Sequence, residues 1–91
     1  MIRTVWEVEF DSDAARQMGK LGAVIRESIK AYLRDKIATP DDPERFGKAL
    51  GGKLKGLWRY RVGDYRIVAR IEKQRVIVVV VAVAHRSKVY R

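Results

Sequence analysis

The segment Lys53-Leu54-Lys55-Gly56-Leu57-Trp58-Arg59-Tyr60-Arg61-Val62-Gly63-Asp64-Tyr65-Arg66-Ile67-Val68-Ala69-Arg70-Ile71-Glu72 decides the fold. Two strand-like runs, Lys53 to Val62 and Tyr65 to Glu72, flank the turn dipeptide Gly63-Asp64. A strand sends alternate side chains to opposite faces. In the first run Leu54, Trp58, Tyr60 and Val62 share one face, and Lys53, Lys55, Leu57, Arg59 and Arg61 share the other. In the second run Tyr65, Ile67, Ala69 and Ile71 lie opposite Arg66, Val68 and Arg70. A two-residue link makes the runs antiparallel neighbours. Arg59, Arg61, Arg66 and Arg70 are therefore expected on one sheet surface, with an apolar surface behind them.

Toward the C-terminus, Lys73-Gln74 reads as another turn and Arg75 to Ala84 as a third, valine-rich run. That run has little polar face, so it is expected inside the sheet and buried on both sides. Polarity returns abruptly with His85-Arg86-Ser87-Lys88 and then Val89-Tyr90-Arg91. Toward the N-terminus, Gly51-Gly52 closes a segment in which Phe46 to Leu50 suggests a short helical turn and Asp41-Asp42-Pro43-Glu44 a loop. From Ala23, the apolar residues Val24, Ile25, Ile29, Tyr32, Leu33 and Ile37 recur at three- and four-residue steps. The spacing predicts an amphipathic helix to about Ala38, stopped by Pro40. Asp11-Ser12-Asp13 supplies N-cap chemistry for a shorter helix over Ala14 to Lys20, and residues 2–10 read as a strand. The order is β-α-α-β-β-β: an α+β fold whose antiparallel C-terminal meander carries two helices packed on one face. With 91 residues and no internal repeat, the chain is expected to be one domain spanning 1–91.

Charge narrows the function. Residues 1–45 carry 8 basic and 9 acidic side chains, net −1, whereas residues 46–91 carry 12 basic and 2 acidic, net +10. Segregation of this kind favours a polyanionic partner, nucleic acid or an acidic protein. The apolar run Val76 to Ala84 is too short to span a membrane, and the N-terminus lacks a signal-peptide pattern. With no cysteine, disulfides and thiolate metal sites are excluded, and a cytoplasmic protein without membrane association is expected.

A set of arginines on a sheet neutralises phosphates, and the planar guanidinium grips them bidentately and stabilises a dianionic phosphorane-like transition state. Tyr90 offers a ring for base stacking or a phenolic proton. His85, the sole histidine, has an intrinsic pKa of about 6.5, suited to proton transfer near neutrality. One histidine, no cysteine and only Asp64 and Glu72 in the basic half point to no metal or other cofactor. Metal-free cleavage of RNA, with the ribose 2′-hydroxyl as internal nucleophile, fits these residues; DNA lacks that hydroxyl. Trp58, Tyr60 and Tyr65 read as core residues rather than stacking platforms. On these residues alone, the chain is a basic, phosphate-binding α+β domain.

The stretch Leu50-Gly51-Gly52-Lys53-Leu54-Lys55-Gly56-Leu57-Trp58-Arg59-Tyr60-Arg61-Val62-Gly63-Asp64-Tyr65-Arg66-Ile67-Val68 and the ending His85-Arg86-Ser87-Lys88-Val89-Tyr90-Arg91 resemble RelE/ParE-type toxins of bacterial toxin–antitoxin pairs. Phe10-Asp11, Ala14-Ala15 and Leu21-Gly22 extend the likeness over nearly the whole chain. The resemblance to the RelE branch implies ribosome-dependent mRNA cleavage, and hence ribosome and mRNA as partners. It assigns Arg61, Arg66 and Arg86 to phosphate binding and transition-state stabilisation, and Tyr90 or His85 to proton handling or stacking. Arg59, Lys53, Lys55, Arg70 and Lys88 are the further expected phosphate contacts. Arg59 and Arg61 stand where the RelE branch has a pair of lysines, and His85 where some relatives have lysine; arginine is a poor general base. The resemblance further implies a cognate antitoxin whose acidic and apolar segment wraps the toxin, with operator DNA reached only through that complex. Two alternatives stand beside it: a ParE-like gyrase inhibitor without nuclease activity, and a non-catalytic RNA-binding module.

Overall fold

A computed structural model describes residues 4–89; Met1 to Arg3, where the first strand was expected to begin, and Tyr90 and Arg91 lie outside them. The first strand, β1, runs Glu7–Phe10, and the first helix, α1, runs Ser12–Gly19. The Asp11 carboxylate accepts the Ala14 N–H at 2.8 Å, the cap expected from Asp11-Ser12-Asp13. The second helix, α2, spans Ala23–Tyr32 and widens into a π-turn over Leu33–Ile37, where the Ala38 N–H donates to the Leu33 carbonyl at 2.8 Å. This one continuous helical segment presents Ile29, Leu33 and Ile37 to the interior, all buried.

Five strands form the sheet: β1, then β2 (Lys48–Ala49), β3 (Leu57–Val62), β4 (Tyr65–Glu72) and β5 (Ile77–His85), in the spatial order β1-β5-β4-β3-β2. β3, β4 and β5 are the expected antiparallel meander, and β1 closes the other side parallel to β5. As anticipated, the valine strand is interior: Ile77, Val78, Val79 and Val80 are all buried. Both helices cover one face. Ala14, Met18, Ile29, Leu33 and Ile37 pack there against Tyr60, Ile67, Ala69, Val78, Val80 and Val83.

Three local expectations are corrected, and one irregularity is added. The first C-terminal run does not start at Lys53 but at Leu57, because Gly52 (φ +58°) and Gly56 (φ +96°) bend the chain into a turn around Gly52–Leu54. Phe46 to Leu50 is not a helical turn; a single 3-10 turn occupies Pro43–Phe46, and Lys48–Ala49 pairs with β3 as an edge strand. Gly47 permits this, since a Cβ there would stand 3.1 Å from the Tyr60 ring and 3.3 Å from the Trp58 ring. The last strand starts at Ile77 rather than Arg75, because Val76 adopts φ +55° in the preceding turn. Finally, Val68 pairs with Ala82 but Ala69 with Val80, so Val81 is an extra residue, a β-bulge. Beyond the bulge, the Gln17 side-chain oxygen of α1 accepts the Val83 N–H at 2.7 Å.

Candidate nucleic-acid interface

The hairpin register sets Arg61 directly opposite Arg66, Arg59 opposite Val68, and Leu57 opposite Arg70. Opposed residues project from the same side of a sheet. Arg59, Arg61, Arg66 and Arg70 thus emerge together on the face away from the helices, as the alternation required. The structure adds a residue that the sequence did not disclose: Lys48 pairs with Arg59 and joins this face from β2.

The four arginines are held differently. Arg61 is exposed. Arg66 is 9% exposed, and its Nη1 donates to the Gly63 carbonyl at 3.1 Å and the Tyr65 carbonyl at 2.9 Å. Its guanidinium is thereby anchored at the β3–β4 turn, while Nε and Nη2 have no protein acceptor among the described residues. Arg59 is half-buried, with its Nε shielded and unpartnered; an unmet buried donor costs about 1–3 kcal/mol. Arg70 is withdrawn from the set, donating to Glu72 at 3.0 Å while Arg75 grips the other Glu72 oxygen at 2.7 Å. Hydrogen bonds from Arg75 and then Arg70 hold the Glu72 carboxyl below its ordinary range.

Arg86 comes to the same corner as Arg61 and Arg66. Its backbone N–H donates to the Asp64 carbonyl at 2.8 Å, and its exposed side chain reaches Asp64 only at 3.9 Å, an ion pair of little strength in water. Lys53 and Lys55 are exposed on the Gly52–Leu54 turn and just after it, and Lys88 is exposed beyond β5. His85 is set apart. It pairs with Tyr65 on the helix side, with ring centroids 5.5 Å apart edge-on. The Ser87 N–H donates to its Nδ1 at 3.2 Å, and the Ser87 hydroxyl lies 2.9 Å from the same nitrogen. Tyr90 lies outside the described residues.

Ion pairs are unevenly spread over the basic side chains, and Lys20, Arg26, Lys36 and Lys88 have none among the described residues while Arg86 has Asp64 at 3.9 Å. Among the described residues Arg16, Lys30, Arg34, Arg45, Arg70, Lys73 and Arg75 all have a carboxylate within ion-pair distance. Lys48, Lys53, Lys55, Arg59, Arg61 and Arg66 have none, and they fall in one short stretch of chain. Glu7 and Glu9 pair with Ile77 and Val79, which places these exposed carboxylates on the same face at its far edge. The face is thus polarised, cationic over β2 to β4 and anionic at β1. Such a charge distribution draws anions toward β2 to β4 and repels them at β1.

Fold and site together define a small α+β domain with one sheet face covered by helices and the other carrying the arginine set. Residues 8–90 match the family described as ParE toxin of type II toxin–antitoxin system, parDE, and the chain belongs to the RelE/ParE superfamily of these toxins. It is 31% identical over 86 residues to Toxin RelG of Mycobacterium tuberculosis, covering 94% of this chain and 97% of the relative. It is 29% identical over 90 residues to the mRNA interferase toxin RelE of Escherichia coli, covering 91% of this chain and 87% of that one. Among solved structures, the toxin–antitoxin complex RelBE2 of Mycobacterium tuberculosis superposes with a TM-score of 0.83 at 29% identity, covering 96% of this chain and 98% of that one. The isolated Escherichia coli RelE toxin superposes with a TM-score of 0.70 at 24% identity over 88% of this chain and 83% of that one, a likeness of fold.

Proposed function

We propose that this toxin cleaves mRNA on the ribosome; its Escherichia coli relative RelE is named an mRNA interferase toxin. The observation that carries the reading is the Arg61–Arg66 pair, joined by Arg86 at the Gly63–Asp64 turn, with neither Arg61 nor Arg66 ion-paired to a carboxylate among the described residues. In the reaction, the ribose 2′-oxygen attacks the adjacent phosphorus and loses its proton. The bond from phosphorus to the 5′-oxygen breaks, and that oxygen gains a proton, leaving a 2′,3′-cyclic phosphate and a 5′-hydroxyl. Arg61, Arg66 and Arg86 bind the phosphate and stabilise the extra negative charge of the five-coordinate transition state. Arginine does not exchange protons near neutrality. Proton transfer or base stacking therefore falls to Tyr90, four residues beyond Arg86, while His85, facing the helix side, shapes the turn through Ser87. Arg59, Lys53, Lys55 and Lys88 contact neighbouring phosphates; Arg70, tied to Glu72, contributes less.

The partner in the resting state is an antitoxin, a reading supported by the similar RelBE2 chain having been solved as a toxin–antitoxin complex. An acidic and apolar antitoxin segment suits the cationic face. The ParE family match favours a second reading, a gyrase-directed inhibitor with no cleavage chemistry. Ribosome-dependent breaks in a translated message separate the two.

A further inference from the structure

We infer that Lys48 and Arg59 form a second phosphate-binding pair for single-stranded RNA, next to the Arg61–Arg66 pair and extending the track to the β2 edge of the sheet. This rests on the RNA-cleaving reading and deepens it, because it gives the bound strand a direction across the protein. Lys48 lies directly opposite Arg59 and therefore on the same face. Arg59 and Arg61 are two residues apart on β3, so successive pairs are separated by about 7 Å along the strand and by about 5 Å across it. The four cations thus make a compact array rather than a scattered set.

Three observations single out Lys48. First, it has no carboxylate partner among the described residues, although the neighbouring turn is rich in acids: Glu44 is taken by Lys73 and Asp41 by Arg45. Second, the side chain opposite it, Arg59, has a buried Nε without an acceptor. An oxygen-rich ligand arriving between the two would draw that guanidinium outward and satisfy it. Third, Lys48 is fixed on the open face by its backbone, since at Gly47 a Cβ would point at Tyr60 and Trp58 on the helix side. An edge lysine also discourages edge-to-edge pairing of strands, so the test must read ligand binding and not merely solubility.

The experiment measures binding of a fluorescein-labelled, 2′-O-methyl single-stranded RNA of twelve nucleotides by anisotropy, across a range of KCl concentrations. The 2′-O-methyl groups prevent cleavage. Each phosphate contact on a single strand contributes about −0.7 to the slope of log K against log salt, which is about five-fold in affinity at 0.1 M salt. Lys48→Gln is expected to make the slope shallower by about 0.7 and to weaken binding about five-fold, irrespective of RNA sequence. Lys48→Arg should retain both slope and affinity, which separates loss of charge from damage to the strand. Lys20→Gln, an exposed and unpaired lysine at the end of α1, should change neither. If Arg61→Gln flattens the slope and Lys48→Gln does not, the second pair is refuted and the RNA reading stands. If neither variant alters the slope, the RNA reading itself fails.

Discussion

Removal of one oxygen, by Tyr60→Phe, tests how the candidate site is built. Tyr60 is fully buried, and its hydroxyl donates to the carbonyl of the equally buried Pro43 at 2.7 Å. Phenylalanine fills nearly the same volume but strands that carbonyl without a donor. The cost of an unsatisfied buried acceptor is about 1–3 kcal/mol. For a domain of this size, each kcal/mol lowers the melting temperature by about 4–8 °C, so a fall of roughly 8–16 °C is expected for a mid-range cost of about 2 kcal/mol. Alkaline titration adds an independent check. Burial first, and the neighbouring Tyr32, Asp42 and Glu44 next, raise the Tyr60 pKa far above its ordinary value of 10.0. A group whose folded pKa exceeds its unfolded one stabilises the fold fully below the unfolded pKa and loses that contribution as pH rises toward the folded pKa. The gap between wild type and Tyr60→Phe, measured by circular dichroism melts, should therefore be widest below about pH 10 and narrow above it. A variant melting within 2 °C of wild type at pH 8 would refute the assignment of this hydrogen bond as the tie between the Pro43–Phe46 turn and the sheet. Because that turn leads directly into β2, the variant should also weaken the Lys48 contact more than the Arg61 contact.

Two further outcomes concern the sheet. Val76 is a β-branched residue at φ +55°, a conformation that costs such a side chain of order 1–3 kcal/mol. Val76→Asn is expected to raise the melting temperature by about 4 °C, and a decrease would mean that the valine's packing outweighs the backbone strain. Gln17→Leu removes the acceptor of the Val83 N–H; a loss of about 1–2 kcal/mol is expected, with faster hydrogen exchange at Val83 as the local signature. Unchanged exchange at that amide would exclude Gln17 as the clasp on the end of β5.

What the sequence disclosed follows from the periodicity of strands. Arg59, Arg61, Arg66 and Arg70 alternate strictly with apolar residues on two paired strands, and a period of two needs no tertiary information to place them on one face. Glu72 lies two residues beyond Arg70 on the same strand, hence on the same side; the signal that Arg70 is neutralised was present in the spacing. Lys48 was hidden because a two-residue strand has no period to detect, and the closeness of Gly47 to Tyr60 exists only in three dimensions. Lys53 and Lys55 were placed on a strand because alternation continues through them, but Gly52 and Gly56 at positive φ end that strand. His85 shows how a single residue redirects a site. Without the bulge, strict alternation from Val79 would carry His85 to the arginine face; the extra residue Val81 turns it to Tyr65 on the helix side. Nothing in a run of valines and alanines marks where a bulge falls.

The central claim is tested most directly by primer extension on an mRNA translated in a purified system, with wild type and Arg61→Ala compared. Arg61 is the suitable control because it is exposed and has no side-chain hydrogen bond or ion pair among the described residues, whereas Arg66 also holds the β3–β4 turn. Breaks within codons that require ribosomes, and that fall by roughly 10²- to 10³-fold in rate in Arg61→Ala, are the predicted result. Intact message under the wild-type protein, or breaks that persist at full rate in the variant, would contradict it.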